Sequence, residues 1–129
     1  MSSKRFTDLR VWKIARQLSL TIYRVTAGFP REERYGLASQ MRRASVSIAA
    51  NIAEGFGRWS PRDQARFYEI SKGSTEELRH YLILSRDLKF LADDLALDDQ
   101  VDAICAMLHR LRQATLSGPR VPDRPDSME

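Results

Sequence analysis

The chain contains a single cysteine, Cys105, among its 129 residues. One thiol excludes a disulfide within the chain and any metal site built from several cysteines. No apolar stretch approaches the roughly 20 residues that a membrane-spanning helix needs. The N-terminus also lacks the apolar core of a secretory signal. We therefore expect a cytoplasmic protein that keeps its thiol reduced.

Residues that carry chemistry are scarce. His80 and His109 stand apart from cysteines and carboxylates at metal-binding spacing, and the sequence has no nucleophile elbow. Residues 55–58 lack the preceding strand and the full glycine pattern of a phosphate loop. Cys105, beside Ile104 on an apolar helix face, is expected to be a buried, inert thiol. The sequence thus predicts no enzyme, no catalytic residue, no metal and no cofactor.

Charge is unevenly distributed along the chain. Residues 1–59 hold 11 lysines and arginines against 4 carboxylates, whereas residues 60–129 hold 10 against 13. Such an asymmetry points towards nucleic acid or another acidic partner. The alternative is a solvated basic face that binds no ligand.

Four segments have apolar residues at helical spacing, at about residues 8–27, 31–56, 61–91 and 98–116. Pro30 precedes the second segment, and Ser60-Pro61 supply the cap and first position of the third. Gly55 and Gly57, at the end of the second segment, are expected to provide a left-handed helix exit. Short links between long helices predict an all-α, antiparallel, up-down-up-down four-helix bundle over residues 1–116. Residues 117–129, with three prolines, are expected to form a disordered tail.

The second helix has two faces of apolar or small residues. One is a stripe of Leu37, Met41, Ala44, Ile48, Ile52 and Gly55, and the other carries Ala38, Val46, Ala49 and Ala53. A helix with two such faces is usually enclosed, and alanine lets another backbone approach closely. This pattern predicts a subunit interface that includes Ala49 and Ala53. In the third helix, Gly73 suggests similarly tight packing.

A polar stripe runs between these faces and consists of Gln40, Arg43, Ser47, Asn51, Glu54 and Arg58. One interpretation is a ligand or nucleic-acid site formed by its charged members. The other is a buried hydrogen-bond network that fixes the register between helices or subunits, because buried polar groups need partners. The structural interpretation is the favoured one, and it places Gln40, Ser47, Asn51 and Glu54 in the network or the interface.

Three motifs resemble one known family: residues 6–12 (FTDLRVW), Phe29-Pro30 with Glu33 and Gly36-Leu37, and residues 40–55 (QMRRASVSIAANIAEG) followed by Arg58. They are similar to the four-helix-bundle proteins associated with intervening sequences in 23S rRNA genes. The resemblance implies a homopentameric barrel. It also implies kinship with the accessory variability protein of diversity-generating retroelements, which works with a reverse transcriptase and nucleic acid through a basic surface.

The sequence favours a non-enzymatic homo-oligomer that binds RNA or DNA through basic residues. The candidate residues are Lys4, Arg5, Arg10, Lys13, Arg16, Arg24, Arg42, Arg43 and Arg58. Among the aromatic residues, Trp12 and Tyr23 are expected to be packed and Trp59 to be available for stacking. The alternative is a scaffold for another protein, such as a polymerase encoded nearby, without direct binding of nucleic acid.

Overall fold

The computed structural model describes residues 5–93 and 95–118, which form four α-helices and no strands. They are α1 (Arg10–Thr26), α2 (Leu37–Phe56), α3 (Pro61–Asp87) and α4 (Leu95–Ser117). Short 3-10 turns at Phe6–Asp8 and Arg31–Glu33 precede α1 and α2. The predicted all-helical class with four helices is confirmed. The tail predicted at 117–129 lies outside the described residues from position 119 onwards.

Each helix packs against the next one in the chain, and α1 also contacts α4. Contacts between α2 and α3 pair Met41 with Ser85 and Ile48 with Ser71. The end of α2 therefore lies beside the start of α3. Between α1 and α2, the Ser19 hydroxyl donates to the carbonyl of Ser45 at 3.0 Å.

The core lies along the apolar stripe that the sequence predicted for α2. All six residues of that stripe are buried, with Met41, Ile48 and Ile52 fully inaccessible. They meet apolar residues at helical spacing in the other helices, among them Leu18, Ile22, Leu78, Leu82, Ile104 and Leu108. Burying this apolar surface is the main stabilising contribution to the fold.

Small polar residues line the contact between α2 and α3. The buried Ser71 hydroxyl donates to the carbonyl of Ile48 at 2.8 Å, and the buried Thr75 hydroxyl donates to the carbonyl of Ser71 at 2.9 Å. A hydroxyl that bonds to a backbone carbonyl needs no water, so it can be buried at little cost. These short side chains bring the two helices close together.

The helix ends differ from the sequence expectations at three places. Helix α2 begins at Leu37 rather than 31, although the Glu33 carboxylate still accepts a bond from the Leu37 amide at 3.3 Å. Helix α3 ends at Asp87 rather than 91, and Lys89 follows it with a positive φ of 64°. Helix α4 begins at Leu95 rather than 98.

The surroundings of the helix glycines differ from those that the sequence predicted. No described glycine has a positive φ, so α2 does not end in a left-handed glycine. Gly55 instead allows a close approach of α3: a Cβ there would lie 2.9 Å from Phe67 Cβ and 2.9 Å from Tyr68 Cε1. Within one chain Gly73 does not make the tight packing expected of it, because a Cβ there would meet nothing within 4 Å among the described residues.

We expect Gly55→Ala and Gly73→Ala to change stability in opposite directions. At position 55 the added methyl overpacks the contact with α3, at a cost of about 1–3 kcal/mol that the gain in helix propensity offsets only partly. At position 73 the methyl meets no neighbour, so the higher helix propensity of alanine raises the free energy of unfolding by about 0.5–1 kcal/mol. Urea unfolding at matched protein concentration measures both. Equal shifts in the same direction would contradict the close approach at Gly55.

Candidate nucleic-acid interface

Helix α1 presents cations without any carboxylate of its own. Arg10, Lys13, Arg16 and Arg24 are all exposed. None of them has an ion-pair partner within residues 5–93 and 95–118. Their apolar neighbours on the opposite side, such as Leu18 and Ile22, are buried in the core. Because the apolar residues of α1 recur on its buried side, its basic residues face the solvent.

The remaining predicted basic residues differ in their surroundings. Lys4 lies outside the described residues, and Arg5 is exposed ahead of the first 3-10 turn. Arg43 is exposed on α2 and helps to line a cavity of about 240 Å³ with Gln40, Ser47 and the carboxylate residue Glu77. The hydroxyl of Tyr81 donates to Glu77 at 2.8 Å, which raises the pKa of Tyr81 against the opposing positive charge of Arg43.

Arg42 serves the fold. Its Nε donates to the Thr26 hydroxyl at 2.8 Å, and its Nη2 donates to the Tyr23 carbonyl at 3.2 Å. The guanidinium also lies over the Tyr23 ring, 4.7 Å from the centroid. These contacts tie the last turn of α1 to α2. Tyr23 was expected to be packed, but its side chain is 46% exposed.

Arg58 lies just after α2, at the link to α3. It forms an ion pair with Glu54 at 2.6 Å and lies over the Phe67 ring, 4.6 Å from the centroid. Arg66 approaches the same ring at 4.7 Å and pairs with Asp63 at 3.5 Å. The aromatic ring therefore holds two guanidinium groups at one end of the bundle.

Positive charge is concentrated in one half of the bundle, which we call the basic end. Hydrogen bonds between Ser19 and Ser45 and between Ser47 and Ser74 mark the middle of the bundle. The basic end, residues 5–18, 47–73 and 108–118, contains ten lysines and arginines against four carboxylates, a net charge of +6. The described part of the other half contains eight against nine, a net charge of −1.

Most carboxylates of the basic end are already neutralised. Glu54, Asp63 and Glu69 pair with Arg58, Arg66 and Arg112 respectively. The surplus charge therefore belongs to exposed cations with no ion-pair partner in the described residues: Arg10, Lys13, Arg16, Arg62 and Arg110. Such groups are available to a polyanion without breaking a contact of the fold.

Sequence reasoning missed Arg62, Arg66, Arg110 and Arg112. They belong to residues 60–129, whose net charge is negative, so the net charge of that half gave no sign of a basic surface. The predicted topology could have revealed them, because an up-down-up-down bundle places the start of α3 beside the end of α4. In the structure Arg112 pairs with Glu69 there, at 2.8 Å. Conversely, Arg24, Arg42 and Arg43 lie in the other half of the bundle.

The polar stripe of α2 divides into two parts. In its middle, the hydroxyls of Ser47 and Ser74 lie 2.8 Å apart, and Asn51 Nδ2 donates to the carbonyl and hydroxyl of Ser47. This half-buried network joins α2 to α3 within one chain. Gln40 and Glu54, at the two ends of the stripe, are exposed.

A shallow apolar groove runs between α1 and α2, and we call it the α1–α2 groove. Its cavity of about 310 Å³ is lined by Trp12, Arg16, Ser19, Leu20, Val46, Ala49, Ala50 and Ala53. Leu20 is 47% exposed and Val46 46% exposed, whereas Ala49 and Ala53 are half-buried. The second face predicted for α2 thus forms the floor of this groove, apart from Ala38, which is buried in the core.

Cys105 lies at the polar edge of the contact between α3 and α4. It is half-buried rather than buried, and its thiol donates to Glu76 at 3.1 Å. Burial and the neighbouring Glu76 raise the pKa of Cys105 to about 11, so the thiol stays protonated near neutral pH. Arg79 donates to Asp102 at 2.7 Å beside it. A protonated thiol is a poor nucleophile.

The described part of the chain has no group of three or more histidine, cysteine or acidic residues placed to hold a metal ion. None of its helices is long and apolar enough to cross a membrane.

Comparisons with known proteins identify the family and support the fold. No curated protein matches the chain. Among solved structures, a protein of unknown function of the S23 ribosomal protein family from Bacteroides thetaiotaomicron superimposes with a TM-score of 0.58 and 18% identity. The match covers 83% of this chain and 95% of that one, and at this identity it supports the fold alone. Residues 7–110 match the family description of 23S rRNA-intervening sequence proteins, so the chain belongs to the 23S rRNA-intervening sequence protein family.

Proposed function

We propose that this protein is a non-enzymatic homo-oligomer that binds RNA or DNA through the basic end of an antiparallel four-helix bundle. The observation that carries the proposal is the separation of charge along the bundle, +6 in one half and −1 in the described part of the other. A polyanion is attracted to such an end and gains contacts with several exposed guanidinium groups. Within the described residues, no cluster of histidine, cysteine or acidic side chains competes as a metal site.

The mode of binding follows from the kind of cations present. Arg10, Lys13 and Arg16 follow one another at intervals of three residues on α1, so they rise about 4.5 Å at each step. Arginine donates to phosphate oxygens in a planar fork, and lysine acts as a point charge. Contacts of this type carry little sequence information. Binding is therefore phosphate-dominated and falls steeply with salt.

Self-association rests on two exposed apolar surfaces that belong to different helices of one chain. The α1–α2 groove is the first. The second, which we call the α3 patch, is an extended row of exposed side chains along one side of α3, about 27 Å long, in which Ile70, Leu84 and Leu88 are 43%, 38% and 48% exposed. Arg16 borders the groove, while Glu77 lies on the patch, so the two surfaces also differ in charge. We propose that the groove of one copy receives the α3 patch of the next.

Contacts between two different surfaces generate rings or filaments rather than simple dimers. A ring of five is the number that the family resemblance implies. A ring repeats the basic end in every subunit. Once one subunit has bound a polyanion, the others bind it at a high effective concentration, so the affinity of the ring exceeds that of a single copy. The assembly thus compensates for the small number of unpaired cations in each subunit.

The second candidate function is a scaffold whose partner is a different protein. The observation in its favour is the same α1–α2 groove, since an amphipathic helix of another protein also fits an apolar groove. The two functions predict different behaviour of the purified protein. A scaffold stays monomeric until its partner is added and does not bind nucleic acid at low salt.

We expect Val46→Glu to dissociate the assembly, because it places a carboxylate in the apolar groove. Ile83→Glu is the matched control: Ile83 is a β-branched residue, 53% exposed on α3, outside both the groove and the patch. Light scattering should give the wild type and the control a multiple of the 14.8 kDa chain mass, and Val46→Glu a single chain with unchanged helical content. A monomeric wild type, or an intact Val46→Glu assembly, would show that the groove is not a subunit interface.

We expect the pair Arg10→Gln and Lys13→Gln to reduce the salt dependence of nucleic-acid binding. Loss of two phosphate contacts lowers the slope of log K against log salt by about 1.4–1.8. The control pair Arg31→Gln and Arg34→Gln removes the same charge from exposed positions in the other half. Fluorescence anisotropy with labelled RNA and DNA across salt concentrations measures the slopes. The proposal fails if wild type binds neither at low salt, or if both pairs weaken binding equally.

A further inference from the structure

A cavity lies where α2 ends and α3 begins, inside the basic end. Its volume is about 610 Å³, within the range of about 300–1,000 Å³ typical of small-ligand sites. Trp59, in the link between the helices, lines it and is 37% exposed. An indole on the wall of a cavity offers a flat face on which another ring can stack.

The polar groups around Trp59 are held in place by the fold. Arg58 is fixed by its ion pair with Glu54 and by the Phe67 ring beneath it. The hydroxyl of Ser60 caps α3 by accepting a bond from the Asp63 amide at 3.1 Å. The cavity therefore combines an aromatic face with oxygen acceptors whose negative charge is neutralised by arginines, which is an environment suited to an uncharged ring that bears amino groups.

A second cavity adjoins the first and shares Ser60 and Asp63 with it. This neighbour, of about 470 Å³, is lined by Arg62, Arg66 and Arg112 and also by Asp63 and Glu69, which pair with Arg66 and Arg112 respectively. Arg62 has no ion-pair partner within the described residues. An aromatic cavity for a ring thus continues into an arginine-lined cavity for an anion, and a nucleotide has these two parts side by side.

We propose that the Trp59 cavity binds an unpaired nucleobase, with the adjoining phosphate in the Arg62 cavity, so that the protein prefers single-stranded nucleic acid to a duplex. A base within a duplex is stacked on both faces and does not reach such a cavity, whereas a single strand can place its bases on aromatic side chains. The carboxylates favour bases with exocyclic amino groups, as when acidic residues accept from cytosine N4. This inference rests on the proposed binding of nucleic acid.

The test compares a single strand of about 12 nucleotides, a length within the usual range of single-strand sites, with a duplex of the same sequence at one salt concentration. We expect Trp59→Ala to weaken binding of the single strand about 5- to 150-fold, equivalent to about 1–3 kcal/mol per stacked base. Binding of the duplex changes less than about twofold, since no charge is removed. Trp59→Phe retains a ring and should restore most of the preference.

A second measurement uses the folded protein without altering the cavity. In a Trp12→Phe background Trp59 is the remaining tryptophan, and its fluorescence should be quenched by the single strand but not by the duplex. Absence of quenching by a bound single strand, or equal weakening of both ligands by Trp59→Ala, overturns the base site while leaving phosphate binding intact. Quenching by an arginine-rich peptide alone would overturn it in favour of a site for cationic side chains. Failure of the wild type to bind either ligand overturns the proposed function itself.

Discussion

The close approach of α2 and α3 is the constraint on which the rest of the structure depends. Gly55 admits the side chains of Phe67 and Tyr68 at distances that a methyl group would obstruct. Further along the contact, Ser71 bonds to the α2 backbone and so fixes the register of the two helices. This register buries the whole apolar stripe of α2 in one core. It also brings the start of α3 against the end of α2, where the basic end is formed.

The sequence predicted the fold well because burial in a helical bundle follows a period that can be read directly. The stripe from Leu37 to Gly55 is buried as expected. The helix ends were less predictable, because single contacts decide them. Glu33 bonds to the Leu37 amide from outside the helix, and after α3 the left-handed residue is Lys89, where glycine is the usual choice. Neither contact leaves a periodic signal, since each depends on how one side chain or peptide meets its neighbours.

The candidate site was harder to predict than the core, because charge acts through space. When net charge is counted along the sequence, residues 1–59 are positive and the remainder is negative. In the structure, however, Arg62 and Arg112 lie with Arg10 and Lys13 in the same half of the bundle. Arg42 looked equally available in the sequence, yet it binds Thr26 and Tyr23. The family resemblance identified the relatives correctly but did not distinguish exposed cations from those that hold helices together.

The separation of charge also gives the molecule an electric dipole moment along its length. Helix α3, with 27 residues, is about 40 Å long, so the excess of positive charge lies far from the net negative half. In the field of a polyanion the protein is rotated basic end first before any contact forms, which shortens the search for a productive encounter. If the protein forms the proposed ring with its subunits pointing the same way, the axial components of these moments add, and one opening of that ring is its positive pole.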